Sequence, residues 1–201
     1  MSELARWNER FSAPGYHFGT APNAFLASQA HLLRRGQTAL SIADGEGRNG
    51  VFLAEQGLDV LSIDFSPLAI AKARKLAASR GVTLAIEQAD VLDWTWPVAK
   101  FDVVAAIFIQ FAAPEEQPRI FAGIKQSLRP GGLLLMQGYR PEQIAYGTGG
   151  PKQVGNLYTR ALLQEAFSDF ASLDIREHDD EIREGDAHAG MSALIDLVGR
   201  R

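Results

Sequence analysis

Ala39-Leu40-Ser41-Ile42-Ala43-Asp44-Gly45-Glu46-Gly47-Arg48-Asn49-Gly50 begins as a short apolar run and passes straight into a Gly-x-Gly turn. Val51-Phe52-Leu53-Ala54 then starts an amphipathic helical pattern. A second apolar run, Asp59-Val60-Leu61-Ser62-Ile63, ends in Asp64, seventeen residues after Gly47. Strand, glycine turn, helix, strand and terminal acid in this order describe a nucleoside-binding βαβ unit. Glycines in the turn let backbone approach a ligand closely, and the acid accepts hydrogen bonds from a ribose diol. Gly-x-Gly alone is weak; joined to Asp64 at this spacing it is specific.

Outward from this unit, apolar β-type runs recur at 39–43, 59–63, 83–88, 101–108 and 133–138. Helical spacing fills 50–56, 66–79 and 114–128 between them. Ser66-Pro67 is a good helix start, with serine as cap and proline at the first helical position. Near-continuous apolar strands alternating with helices predict a doubly wound α/β fold, its parallel sheet covered on both faces. Ligands of such sheets sit at the carboxyl ends of the strands, where strand order reverses. Asp44, Asp64, Asp90 and Ile107-Phe108 all fall there. Further on, 139–156 has no periodicity and contains Gly147-Thr148-Gly149-Gly150-Pro151, the mark of a lid or binding loop. Thr159 caps a short helix, and strand patterns at 172–177 and 193–198 close the chain, separated by acidic residues at 179–181.

The bulk composition narrows the class. The 201 residues suit one domain over 1–201, with 1–37 as an N-terminal cap region and 139–158 as a substrate loop. Apolar content of 46% and charged content of 22% are those of a soluble globular protein. No apolar run approaches the roughly 18–20 residues of a membrane span, and the first ten residues lack the apolar centre of a secretory signal. A cytoplasmic protein without membrane contact is expected. Zero cysteines exclude disulfides and thiolate chemistry. A net charge of −4 argues against a nucleic-acid partner, which would want a basic face. The four histidines do not pair at metal-ligand spacing, so no metal is expected. Oligomeric state is not legible.

Over about 40–138 these residues resemble the class I S-adenosylmethionine-dependent methyltransferases. Phe101-Asp102-Val103-Val104 is similar to the family's fourth strand, and Leu128-Arg129-Pro130-Gly131-Gly132 to the turn entering its fifth. Gly45-Glu46-Gly47-Arg48-Asn49, with Tyr16-His17-Phe18-Gly19 and Pro22-Asn23, is similar to small bacterial enzymes of the tellurite-resistance type. The resemblance implies a Rossmann-like, mostly parallel seven-stranded sheet with an antiparallel last strand. It also implies S-adenosyl-L-methionine as cofactor and a small molecule as methyl acceptor. Two positions depart from the family's first motif: Ser41 and Ala43 stand where an acid and a glycine are usual, with Asp44 placed to compensate.

The chemistry follows from the cofactor, a sulfonium carrying adenosine and a methionine tail. Gly45 and Gly47 give close backbone approach, Asp64 takes the ribose hydroxyls, and Phe65 and Ser66 lie beside it. Asp90, with Val91, meets the adenine amino group. Asp44, Glu46, Arg48 and Asn49 fix the loop or the cofactor carboxylate, and Ala106 and Ile107 line the pocket beside the sulfonium. Methyl transfer needs in-line approach at about 3–3.5 Å and a dry pocket more than an acid or base. Soft anionic nucleophiles can react by positioning alone. Tyr16, Phe18, Arg140 and Tyr146 are the substrate-contact candidates, and His188, in a glycine-flanked hairpin, is the catalytic candidate as base or substrate ligand.

Two other readings compete. A cofactor-binding protein without transfer activity is compatible with Ser41 and Ala43. A nicotinamide-dinucleotide oxidoreductase shares the first βαβ unit, but short-chain dehydrogenases place a lysine four residues after their tyrosine. Here Thr20, Gln143, Gly150 and Leu162 follow the four tyrosines at that distance.

Overall fold

The computed structural model describes residues 2–185 and 188–201, with His188 described by its backbone alone. Seven strands form one sheet: β1 (Thr38–Ile42), β2 (Asp59–Asp64), β3 (Ala85–Gln88), β4 (Phe101–Ile107), β5 (Leu128–Tyr139), β6 (Ser172–Glu184) and β7 (His188–Arg200). Their order is β3-β2-β1-β4-β5-β7-β6. The first five pair in parallel, and β7 runs antiparallel to both β5 and β6. This is the Rossmann-like architecture, and its last strand is the antiparallel one.

Among the described residues seven α-helices accompany the sheet: α1 (Glu3–Ser12), α2 (Ala24–Ser28), α3 (Arg48–Glu55), α4 (Pro67–Ser79), α5 (Gln117–Ser127), α6 (Gln143–Tyr146) and α7 (Arg160–Ala166). Ser66 caps α4 through its hydroxyl, with Pro67 in the first turn, and Thr159 caps α7. Both sheet faces are buried because alternate residues serve opposite layers. Leu40, Ile42, Val104 and Ala106 join one apolar cluster; Ala39, Val103 and Ala105 join the other.

Strand order reverses between β1 and β4, which puts the topological switch point beside the Gly45 turn. The turn at 129–132 interrupts β5: Phe101 pairs with Leu128, and the next pair is Val103 with Leu133. Gly131 relieves this bulge with φ +76°. The C-terminal hairpin is longer than its sequence pattern predicts. Its pairing runs without a break from Ser172↔Arg200 to Glu184↔His188, through Asp179, Asp180 and Glu181. β5 ends opposite Leu194, so the paired segments 179–184 and 188–193 of the hairpin extend beyond the end of β5. β6 is an edge strand, and the charges on its exposed face hide its apolar alternation while discouraging edge-to-edge pairing.

Candidate active site

A crevice of about 230 Å³ opens at the carboxyl ends of β1, β2, β3 and β4. Its floor is the Gly45 turn. Gly45 has φ +59°, and a side chain there would lie 3.6 Å from the Phe11 ring above it. Gly47, at φ +90°, begins α3 where a Cβ would stand 2.6 Å from that of Ala73 on α4. Glycine is required there both for backbone freedom and for helix packing.

Asp44 organises this turn. Its Oδ1 accepts from the Ser41 hydroxyl at 2.8 Å, its Oδ2 from the Ser62 hydroxyl at 2.8 Å, and Gly50 N–H donates to both at 3.1 Å. Ser41, which stands where the resemblance leads one to expect an acid, is thus a hydrogen-bond partner of the Asp44 carboxylate. Burial raises its pKa, opposed by Ser62, Ser41, Gly50 and Arg48. Ala43 adopts φ +47°, the left-handed conformation for which the usual glycine is suited.

Asp64, the last residue of β2, is held at both oxygens. Gly45 N–H donates to Oδ2 and Ser66 N–H to Oδ1, each at 2.8 Å. Burial pushes its pKa up to about 6, with a smaller push from Asp44, against the pull of the backbone donors. The fixed carboxylate faces the crevice with acceptor capacity remaining on each oxygen.

Arg48 and Asn49 open α3, and both are buried. Arg48 Nη2 donates to Glu184 Oε2 at 2.6 Å, while Nη1 is buried without a partner. Asn49 Oδ1 accepts from the Asn23 backbone, and Asn23 Nδ2 in turn donates to Gln137 and Glu184. The hairpin tip, the segment before α2 and the glycine turn thus lock together at one side of the crevice.

Of the residues expected at the cofactor, Asp44, Gly45, Arg48, Asn49, Asp64, Phe65, Asp90, Val91 and Ile107 line the crevice. Glu46, Gly47, Ser66 and Ala106 do not. Glu46 accepts from the His17 backbone at 2.6 Å and pairs with Lys72 at 2.7 Å, so it moors the N-terminal segment. Ser66 caps α4, and its hydroxyl donates to Asn8 of α1 at 2.6 Å. Ala106 is wholly buried in the core.

Of the substrate candidates, only Phe18 lines the crevice. The Tyr16 hydroxyl donates to the Lys72 carbonyl at 3.3 Å. Arg140 pairs with Asp179 and Glu142 and donates to the Leu194 carbonyl. The Tyr146 hydroxyl donates to Asp179 at 2.9 Å. The two form a polar cluster on the C-terminal hairpin, and no described lining residue comes from 139–158. The expected substrate loop lies elsewhere because Gln143 ties it to β7, its Oε1 accepting from Ala193 N–H at 2.8 Å. The His188 side chain lies outside the described residues; its backbone opens β7 opposite Glu184.

The aromatic roof was not legible residue by residue. Glu3, Trp7 and Phe11 recur every four positions on α1 and turn one face to the crevice. Trp7 stacks on Phe11 at 5.5 Å, and Phe18 approaches both at 6.4 Å. Phe108 and Phe111 complete the wall after β4. Phe108 carries φ +53°, a strained conformation for a bulky residue, and stacks on Tyr139 at 4.6 Å. Trp7 and Phe11, four residues apart, mark an aromatic face on α1, but nothing in that spacing says what the face covers.

The residues present fit an adenosyl sulfonium: a fixed acid for the ribose, a turn free of side chains, and an orphaned buried guanidinium N–H for the tail carboxylate. Among the described residues no group of three or more histidines and acids could hold a metal ion.

Residues 39–132 match the family described as "Methyltransferase domain". The demethylmenaquinone methyltransferase of Thermus thermophilus is 31% identical over 104 residues, 51% of this chain and 47% of that protein. The chain spans about half the length of that relative. TehB from Haemophilus influenzae has a similar fold, with TM-score 0.72 at 15% identity, covering 98% of this chain and 66% of that one. NodS, an N-methyltransferase of Bradyrhizobium japonicum solved with S-adenosyl-L-homocysteine, gives TM-score 0.71 at 13% identity over 98% and 97% of the two chains. At such identities the likeness concerns fold. The chain thus carries a methyltransferase-domain sequence over residues 39–132, on the fold that it shares with TehB and NodS.

Proposed function

We propose that this protein transfers a methyl group from S-adenosylmethionine to a small-molecule acceptor, acting by positioning and by exclusion of water. The observation that carries this is Asp64, buried at the end of β2 and pinned by Gly45 and Ser66 with its carboxylate toward the crevice. The cofactor supplies an electrophilic methyl on a sulfonium. The chain supplies a carboxylate for the ribose, a guanidinium for the tail, and an aromatic roof that keeps water from the reacting atoms. No general base is required of the described lining, and His188 is proposed as the residue that would serve as base or substrate ligand.

Kinship with the tellurite-resistance type is part of this reading. It is supported by the 45–49 turn, by the 16–23 segment moored on Glu46, and by the TehB-like fold. A small acceptor is favoured by the enclosed crevice, and a net charge of −4 speaks against a nucleic-acid partner. Among the described residues no helix is long and apolar enough to cross a membrane. We place the protein in the cytoplasm, and we treat 1–201 as one methyltransferase domain because all seven strands share a sheet.

Calorimetry with S-adenosylmethionine, S-adenosylhomocysteine and NAD, followed by a labelled-methyl assay over a panel of acceptors, tests the proposal. Sulfonium binding and turnover of one acceptor are expected. Binding of NAD alone would replace it with the oxidoreductase reading, and binding without turnover on any acceptor with the non-catalytic one.

A further inference from the structure

The acceptor's share of the crevice is what the cofactor's recognition elements leave. In the reading above, Asp64 takes the ribose, Asp90 the base and Arg48 the tail carboxylate. What remains, at the end of β4 and under α1, is an aromatic wall made by Trp7, Phe11, Phe18, Phe108 and Phe111. The electrostatics are one-sided. Asp44 holds its own turn and Asp64 and Asp90 face the cofactor, so the carboxylates left to the acceptor's share are Glu116 and Glu3, the latter paired with Arg6, while Arg48 is the single cation of the described lining. Arg48 is itself paired with Glu184 at 2.6 Å. Arg6 and Arg10 lie over Trp7 at 5.9 and 4.8 Å but are not part of the lining.

Resting on that proposed methyl-transfer reading, we infer that the acceptor is an uncharged planar nitrogen nucleophile, an aromatic amine or nitrogen heterocycle of one or two rings. An anionic acceptor would meet Glu116 at the wall and, with Arg48 engaged by Glu184 and the tail, would find no free side-chain cation among the described lining. A neutral nitrogen enters without that cost, and its ring lies against the phenylalanines in offset or edge-on contact. During reaction the nitrogen lone pair forms the N–C bond while the C–S bond breaks. The C–S electron pair stays on sulfur, giving S-adenosylhomocysteine, and any N–H proton then passes to solvent. Positive charge therefore moves from sulfur to nitrogen. Aromatic faces stabilise it there through cation–π attraction. The inference thus separates nitrogen heterocycles from the oxyanions that a positioning-only site could otherwise methylate.

The test is calorimetry on the protein saturated with S-adenosylhomocysteine, titrated with quinoline, with 1-methylquinolinium as product mimic, and with benzoate as an anion of similar size. Quinoline and 1-methylquinolinium should bind, the cation at least about tenfold tighter than benzoate. Glu3→Lys, at an exposed rim position, should shrink the cation-to-benzoate ratio several-fold. Failure to saturate with S-adenosylhomocysteine would sink the methyl-transfer reading itself. Saturation followed by benzoate binding as tightly as the cation, by no quinolinium binding, or by a ratio indifferent to Glu3→Lys, would overturn the acceptor inference alone.

Discussion

The Arg48 guanidinium at the start of α3 meets the Glu184 carboxylate at the end of β6 at 2.6 Å, with both side chains more than nine-tenths buried. The two lie 136 residues apart in sequence. This pair fastens the tip of the C-terminal hairpin to the glycine turn and orients Arg48 so that Nη1 remains for a ligand. Removing one partner leaves the other charge buried, a loss of about 3–5 kcal/mol. Glu184→Leu and Arg48→Met should each lower unfolding stability in urea by that order. The double variant should lose much less than their sum; additive losses would show that the pair is not coupled.

With Asp64 in its proposed role at the ribose, cofactor binding should depend on pH in a predictable direction. Ribose hydroxyls donate to a carboxylate, so ligand binding favours the ionised form. Burial has raised the pKa to about 6, so protonation competes with the ligand in the mildly acidic range. Affinity for S-adenosylhomocysteine should be nearly flat above pH 7 and fall below pH 6, by up to about tenfold per unit. Asp64→Ala should weaken binding at pH 8 by roughly 1.5–3 kcal/mol and flatten the acidic limb. Affinity that rises on acidification would contradict the assignment.

What was legible in the chain follows from local physics. The β1–α3–β2 unit announces itself because a positive-φ turn, a helix start and a strand-ending acid are short-range features, and their residues do line the crevice. Helix caps at Ser66 and Thr159 are equally local. Arg140 and Tyr146 were expected at the site because they follow a strand that ends on the ligand side. Their placement is decided instead by Asp179 on β6, a long-range partner. Glu46 shows the same limit: a motif residue holds the N-terminal segment through His17 and Lys72. The roof of Trp7 and Phe11 depends on the docking of α1 against α4 through Asn8 and Ser66, which no spacing within 1–12 encodes.

His188 begins β7 opposite Glu184, the residue that grips Arg48 at the crevice. As proposed, His188 serves the acceptor, as base or substrate ligand, and not the adenosyl group. His188→Ala should leave S-adenosylhomocysteine affinity within about twofold while lowering turnover, by roughly 10²–10⁴ where the acceptor must lose a proton before attack. His188→Gln should not restore it, because the amide cannot take a proton. Equal turnover in wild type and variant would assign the histidine to structure.

Ala43 offers a test of how the altered first motif is accommodated. Its φ of +47° sets the Cβ against the following carbonyl, a strain of about 1–2 kcal/mol that glycine does not feel. Against this, glycine adds flexibility to the unfolded chain, at about 0.4–1 kcal/mol. The strain exceeds the entropy, so Ala43→Gly should stabilise the fold by up to about 1 kcal/mol, read as a higher urea midpoint at unchanged slope. The backbone N–H of Asp44 donates to the Ile63 carbonyl, and its carboxylate is fixed by Ser41, Ser62 and Gly50. The turn therefore keeps its shape when the methyl is removed, and cofactor affinity should stay constant. A lowered midpoint, or affinity lost along with the methyl group, would mean that Ala43 contributes packing that outweighs its strained backbone.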